Sequence, residues 1–364
     1  MKWLPALILG LCFCGALRAQ ENSLVLYGTV DSGIASTRSS EPGDGSRSNA
    51  QMLSGGLTDS LFGIRGQEAL GGGWSASFEL ESQFGSNTGM LEVGSSLFDS
   101  SAWLGLGGSD FGELRLGRQH TVAQQFGSQL QVASWKDMDM GAMFKASTNY
   151  QVNQAVNYLS PSWAGFKLGA GYSFDVQGSG ARLDKSPALS LALQYQQGPW
   201  LAVATWDKTY LKQSVLPDTV HPEAWQLGLR YDAGFAAVSV AWSRQRNGYV
   251  SLEGIDPDAP NLGLGLAGFL TGGHVGTYLL GLAVPVGHGE LQLQWSLAQP
   301  SWSWENGEKA HSAQLATLGY VYNLSPRTRL YPMAGVAARY SLESSFVQGQ
   351  GTTTRYMAGV AHSF

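Results

Sequence analysis

The fold is decided by WSASFELESQF, residues 74–84. Every even-numbered residue but Ser82 is apolar (Trp74, Ala76, Phe78, Leu80, Phe84), and every odd-numbered one is polar (Ser75, Ser77, Glu79, Glu81, Gln83). A period of two belongs to an extended strand with one apolar and one polar face. The apolar row begins and ends on an aromatic ring. The alternation recurs at 166–175, 189–195, 225–232 and 291–298, and none of these stretches has the 3.6-residue period of a helix. At 200–207 both faces are apolar, and neither is assigned inward.

The spacers alternate as well. Short ones at 71–73, 108–112, 160–165, 196–199, 232–234, 286–289 and 323–328 carry the Gly, Pro, Asn or Asp of tight turns. Long polar ones fall at 37–57, 86–97, 120–150, 176–186, 209–222, 247–274, 300–311 and 341–352. Seven short and eight long connections separate sixteen strands of about ten residues. No compositional break marks a second domain.

Only 13% of the residues are charged, where about 25% is usual for a soluble domain. Mean hydropathy is −0.09, far below what a bundle of apolar helical spans would give. Residues 1–19 have a positive start, an apolar run and a small residue before residue 20, the pattern of a secretory signal peptide, leaving 20–364 as one domain. No small residue precedes Cys12 or Cys14, so a lipoprotein anchor is rejected. Both cysteines lie in that leader, so the exported chain has no disulfide to hold it. Removing Lys2 and Arg18 leaves 20 basic against 27 acidic residues, a charge of −7 that argues against nucleic acid as a partner.

Strands with an apolar side, aromatic ends and alternately short and long connections describe a transmembrane antiparallel β-barrel. In lipid every backbone N–H and C=O must be paired within the protein, and a closed barrel pairs them all without an edge. The apolar face meets lipid, the polar face meets water inside, and rings sit at both interfaces. A soluble β-sandwich would alternate too, but its polar face would carry more charge and nothing would place aromatics at both strand ends.

Several stretches resemble the general-diffusion porins of Gram-negative bacteria. SLVLYGTVD at 23–31 is similar to their first strand, and FGIRGQEALG at 62–71 to the second strand and first turn. LGLGGSDFGELRLGRQ at 104–119 resembles strands four and five, and AVNYLSP at 155–161 resembles strand six. The resemblance implies a sixteen-stranded outer-membrane barrel, a homotrimer, and a third loop folded into the lumen as a constriction. It also implies passive diffusion of ions and small hydrophilic solutes, with no cofactor.

On that resemblance loop 3 covers about 120–150 and contains WKDMD at 135–139. In the family this loop carries carboxylates toward arginines on the opposite wall. Arg65 matches the second-strand arginine, and Lys136, Asp137 and Asp139 are the loop candidates. Many members have arginines where Ser100 and Gln151 stand here, and Arg115 with Glu113 adds to the polar face of strand five. With Asp31, Glu79 and Glu81 as lumen carboxylates, weak cation preference or near-neutrality is expected, not strong anion selectivity. Plainer readings stand beside these: Arg65 as an ordinary solvated wall residue, Asp137 and Asp139 as helix caps, and Trp302 and Trp304 as girdle residues rather than sugar platforms.

The chain ends on an outward row of Tyr356, Ala358, Val360, His362 and Phe364, which resembles the signal read by outer-membrane assembly machinery. Lipid and lipopolysaccharide complete the expected partners. Two alternatives remain open: a channel preferring sugars or small organic acids, and a barrel acting as adhesin or enzyme. None of the six histidines stands in a triad-like spacing with Ser or Asp, and no His-x-x-x-His occurs. GLGLAG at 263–268 fits G-x-G-x-x-G but lacks a strand–turn–helix context.

Overall fold

A connection of a few residues can only fold a strand back beside its predecessor, so the seven short spacers dictate an antiparallel meander. The computed structural model describes residues 22–41, 45–92, 96–133, 135–136, 151–176, 178, 185–210, 221–247, 274–301, 312–338 and 351–364. The leader at 1–19, Asp137, Asp139, Trp302, Trp304 and the 263–268 motif lie outside the described residues. Among these, the strands run β1 Ser23–Glu41, β2 Gly45–Ser54, β3 Leu61–Gly71, β4 Trp74–Gln83, β5 Ser101–Gly108 and β6 Gly112–His120. One short helix, α1 Val122–Gly127, follows. Then come β7 Gln151–Leu159, β8 Phe166–Ser173, β9 Ala188–Gln197, β10 Trp200–Thr209, β11 Glu223–Asp232 and β12 Ala237–Arg246. The series ends with β13 His274–Val286, β14 Gly289–Pro300, β15 Ala313–Asn323, β16 Thr328–Ala338 and β17 Thr352–Ser363.

From β3 onward each strand pairs antiparallel with the next, and β17 returns to β1 over twelve residue pairs, from Thr29↔Ser363 to Ser40↔Thr352. The other edge of β1 is shared. β3 pairs with 23–29 and β2 with 32–41, so β2 and β3 are two halves of one interrupted stave. The result is a closed antiparallel barrel of sixteen staves.

The interruption at 55–60 has a visible cause. Asp31 is fully buried, and its Oδ2 accepts from the Leu57 and Thr58 amides at 2.9 and 2.8 Å. Its Oδ1 accepts from the Tyr331 hydroxyl. A buried carboxylate needs such donors, and supplying them draws the chain out of the ladder. Asp31 therefore anchors the wall and does not line the pore, which corrects its reading as a lumen carboxylate.

All seven short turns fall between strands as expected, with Gly71, Gly72 and Gly73 at positive φ where a Cβ would be strained. The first long spacer differs. β1 and β2 continue through most of 37–57 as a paired hairpin, with Arg38↔Ser48 and Ser40↔Ser46. This hairpin is polar on both faces, so backbone pairing continues where the hydrophobic signal has ended.

The outer face carries Leu26, Leu104, Leu116, Leu191 and Leu227, all exposed, and Leu24 at 72%. Rings pair at the short-turn end (Trp74–Phe111, 4.0 Å; Phe166–Tyr195, 4.7 Å; Trp200–Tyr231, 4.4 Å) and at the long-loop end (Tyr172–Phe174, 4.9 Å; Trp206–Trp225, 5.9 Å). The two largest buried apolar clusters lie inside the barrel, between one wall and the segment that follows β6.

Candidate functional site

After β6 the chain turns into the lumen. Thr121 caps α1 by accepting from the Gln124 amide at 3.0 Å. Val122 and Phe126 pack with Leu201 and Val203 of β10. This explains why β10 is apolar on both faces: one meets lipid, the other meets loop 3. A 3-10 turn at Ser128–Leu130 follows, and the chain continues along the wall to residue 136.

The wall is shaped to receive it. A Cβ added at Gly228 of β11 would lie 2.2 Å from Leu130, one at Gly281 of β13 2.5 Å from Val132, and one at Gly319 of β15 2.8 Å from Trp135. Inward glycines thus form a shallow track of backbone on which large loop side chains rest. Wall side chains hold the loop backbone: the amide Nε2 of Gln226 donates to the Gly127 carbonyl (3.4 Å), the Arg230 guanidinium to the Gln131 carbonyl (2.9 Å) and the amide Nε2 of Gln294 to the Ala133 carbonyl (3.0 Å). At the far end Lys136 Nζ pairs with Asp59 at 2.9 Å and with Glu92, while its own amide donates to the Leu57 carbonyl at 3.1 Å. The Lys136 side chain is only 7% exposed. Loop 3 is therefore clamped from the β6 end to the 55–60 excursion.

Among the described residues no loop segment packs on the wall from β3 to β7, which carries a cluster of charged side chains. Arg65 stacks over Tyr27 (5.1 Å) and stands opposite Glu79 in the ladder. Arg115 stacks over Trp103 (4.1 Å) and pairs with Glu113 at 2.7 Å. Glu81 accepts from Tyr27 (2.8 Å) and Ser100 (2.5 Å), and Glu79 from the Trp103 indole (3.3 Å). A cleft of about 580 Å³ opens along this wall, lined in part by Arg65, Glu79, Trp103, Glu113, Arg115 and Lys167. At its long-loop end Asp99 is buried and accepts from the Gln83 amide at 2.8 Å. Burial holds its carboxyl above the ordinary range against the opposing pull of that amide and of Arg118.

Residues 6–359 match the profile of the Gram-negative porin family. The chain belongs to that family. An outer membrane porin of Bordetella pertussis is 28% identical, with 97% of each chain covered. Outer membrane porin protein 32 of Delftia acidovorans is also 28% identical over 96% of each. Among solved structures an anion-selective porin from Comamonas acidovorans superposes with a TM-score of 0.70, covering 94% of this chain and all of that one at 24% identity. Salmonella typhi OmpF, 15% identical, gives 0.65 and shares the fold. This porin is a passive diffusion channel of the Gram-negative outer membrane, with short turns at the periplasmic end and long loops outside.

The porin brings most of the sequence-predicted residues together. Arg65 and Arg115 share the open wall. Ser100 and Gln151 meet, the Gln151 amide donating to Ser100 at 3.4 Å. Lys136 sits in its acidic clamp beside the β3–β4 wall, between Asp59 and Glu92. Tyr356 on β17 and Phe364 just after it are both exposed, and the Phe364 amide donates to the Gly28 carbonyl at 3.0 Å where the barrel closes. Sequence reading missed Arg118, whose guanidinium donates to Gln151 (2.9 Å), Asn153 (2.9 Å) and the Asp99 carbonyl (2.5 Å). The β6–β7 register shifts beside it, where Gln154 has φ 49°. Its signal in the sequence is an arginine that ends the apolar row of Leu114 and Leu116.

Proposed function

We propose that this porin acts as a homotrimer of separate channels, each narrowed between loop 3 and the β3–β7 wall. Each channel admits small hydrophilic solutes and ions with near-neutral or weakly cation-preferring selectivity, and no enzymatic step is involved. One observation carries this: the open wall places Glu79, Glu81 and Glu113 among Arg65 and Arg115, so its guanidiniums are matched by carboxylates. In a narrow, poorly screened pore such local charge governs which ions enter. The Comamonas porin is described as anion-selective. Here Ser100 and Gln151, set among Glu81 and Arg118, support the opposite sign. Asp137 and Asp139 are proposed to add to it from the loop.

The trimer rests on the family and on a neighbour, OmpT of Vibrio cholerae, described in a trimer form. The outward Tyr356–Phe364 row is proposed as the mark read by the assembly machinery. Planar-bilayer recording in a salt gradient tests the whole reading. Conductance steps in threes and a small reversal potential are expected, and a strong chloride preference would sink the assignment of sign. The stacked Arg65–Tyr27 and Arg115–Trp103 pairs favour a second reading, a channel with some preference for sugars or organic acids. That reading requires saturable flux and block of ion current by the solute.

A further inference from the structure

On the lipid face β10 presents Ala202 and Ala204, while its neighbours present Leu193, Leu227 and Leu229. The two methyl groups leave a groove of about 690 Å³ bordered by Trp242 at its extracellular side. Above it the outward residues form level rows across three strands. Ala204, Leu227 and Trp242 make one, Trp206, Trp225 and Arg244 the next, and Lys208, Glu223 and Arg246 the last. The order from the membrane outward is apolar, aromatic, basic.

The one carboxylate in these rows is already engaged. Glu223 accepts from the indoles of Trp206 and Trp225 at 2.8 and 3.0 Å. Arg244 and Arg246 are exposed, and among the described residues neither guanidinium has a hydrogen-bond or ion-pair partner. Paired guanidiniums at a membrane border match phosphate geometry. A groove free of large side chains accepts an alkyl chain. The outer leaflet is where these two features meet.

We infer that the β10–β12 face is a binding site for lipopolysaccharide. An acyl chain of its lipid A lies over Ala202 and Ala204, and a glucosamine phosphate is held by Arg244 and Arg246, with Lys208 beside them. The site rests on the outer-membrane placement and is independent of which solute the channel passes.

The test counts lipid on the detergent-purified porin by native mass spectrometry, with diphosphoryl lipid A, its dephosphorylated form and phosphatidylethanolamine as probes. The wild type is expected to bind diphosphoryl lipid A best. R244Q/R246Q is expected to weaken that binding about tenfold or more while leaving the dephosphorylated lipid unchanged. A202L/A204L, which fills the groove, is expected to weaken both. Equal binding of phosphatidylethanolamine, or retention by both variants, overturns the site. A changed oligomeric state in A202L/A204L overturns it in favour of a second copy of the chain. Bilayer conductance is expected to stay at the wild-type value in both variants, so loss of lipid binding is distinguishable from loss of the channel.

Discussion

The two halves of the inner wall solve opposite problems with the same strand geometry. Between β10 and β15 loop 3 rests on Gly228, Gly281 and Gly319, on the apolar Leu201 and Val203, and on Gln226, Arg230 and Gln294, which donate to its backbone. From β3 to β7 the inward positions include Arg65, Glu79, Glu113 and Arg115, which line a cleft among the described residues. The covered half behaves as a protein core, where volume and backbone contact decide stability. The open half behaves as an electrolyte surface, where charge and screening decide function. Polarity of the inward row alone does not separate the two. What a side chain meets does: Gly228, Gly281 and Gly319 seat loop side chains and Arg230 is spent on the Gln131 carbonyl, whereas Arg65 and Arg115 stack on wall rings beside carboxylates.

Breaking the clamp is expected to have the largest effect. Lys136→Met leaves Glu92, only 9% exposed, and the more exposed Asp59 without their cation. Removing one partner of a buried pair costs about 3–5 kcal/mol, so loop 3 is expected to leave its seat. Single channels would become larger and noisier, and the loop open to protease. Quiet wild-type conductance in this variant would mean that the clamp does not hold the loop. Next comes the track itself. Gly228→Val sets a branched side chain against Leu130, and overpacking of this kind costs about 1–3 kcal/mol. Flicker between two conductance levels is the expected record, whereas Gly276→Val, with open space at its Cβ, is expected to leave the channel quiet.

The contrast between the halves also explains what could be read in advance. Alternation at 74–84 and the glycine-rich turns fix strand, parity and topology locally, because they depend on neighbours two residues away. Leu201 and Val203 obscured parity on β10 because their partner, Phe126, lies about 75 residues earlier, and no local pattern announces it. The same holds for Lys136, whose carboxylates come from residues 59 and 92, and for Asp31, whose hydroxyl partner is Tyr331. Arg65 and Arg115 were legible because they sit in regular ladder. Arg118 was not, because the register shift beside Gln154 disturbs the alternation there.

Selectivity sharpens the comparison without disturbing the fold. Glu79→Gln with Glu81→Gln is expected to move the reversal potential toward anions, and Arg65→Gln to move it toward cations. Asp137→Asn with Asp139→Asn should shift it in the anion direction if the loop carboxylates face the pore. Each shift should shrink between 0.1 and 1 M salt, as the screening length falls from about 10 to about 3 Å. The matching Gln294→Leu change on the covered half should leave selectivity alone and loosen loop 3 instead, since Gln294 serves the Ala133 carbonyl. A shift in reversal potential from Gln294→Leu would erase the distinction between the halves.

The smallest effect belongs to Asp99, at the extracellular edge of the open half. Its carboxyl sits above the ordinary range because burial strips water from the charged form. A raised folded-state value means that the native protein binds more protons than the unfolded chain across the interval just above about pH 4. Stability from this group is therefore present at low pH and lost as pH rises through that interval. Asp99→Asn keeps an oxygen to accept from the Gln83 amide but removes the titration. The variant should lose this part of the pH dependence and gain slightly in stability at neutral pH, read as a small rise in unfolding temperature at pH 7 with none at pH 4. A fall at pH 7 would mean that the negative charge, held near Arg118, is itself what fastens the start of β5.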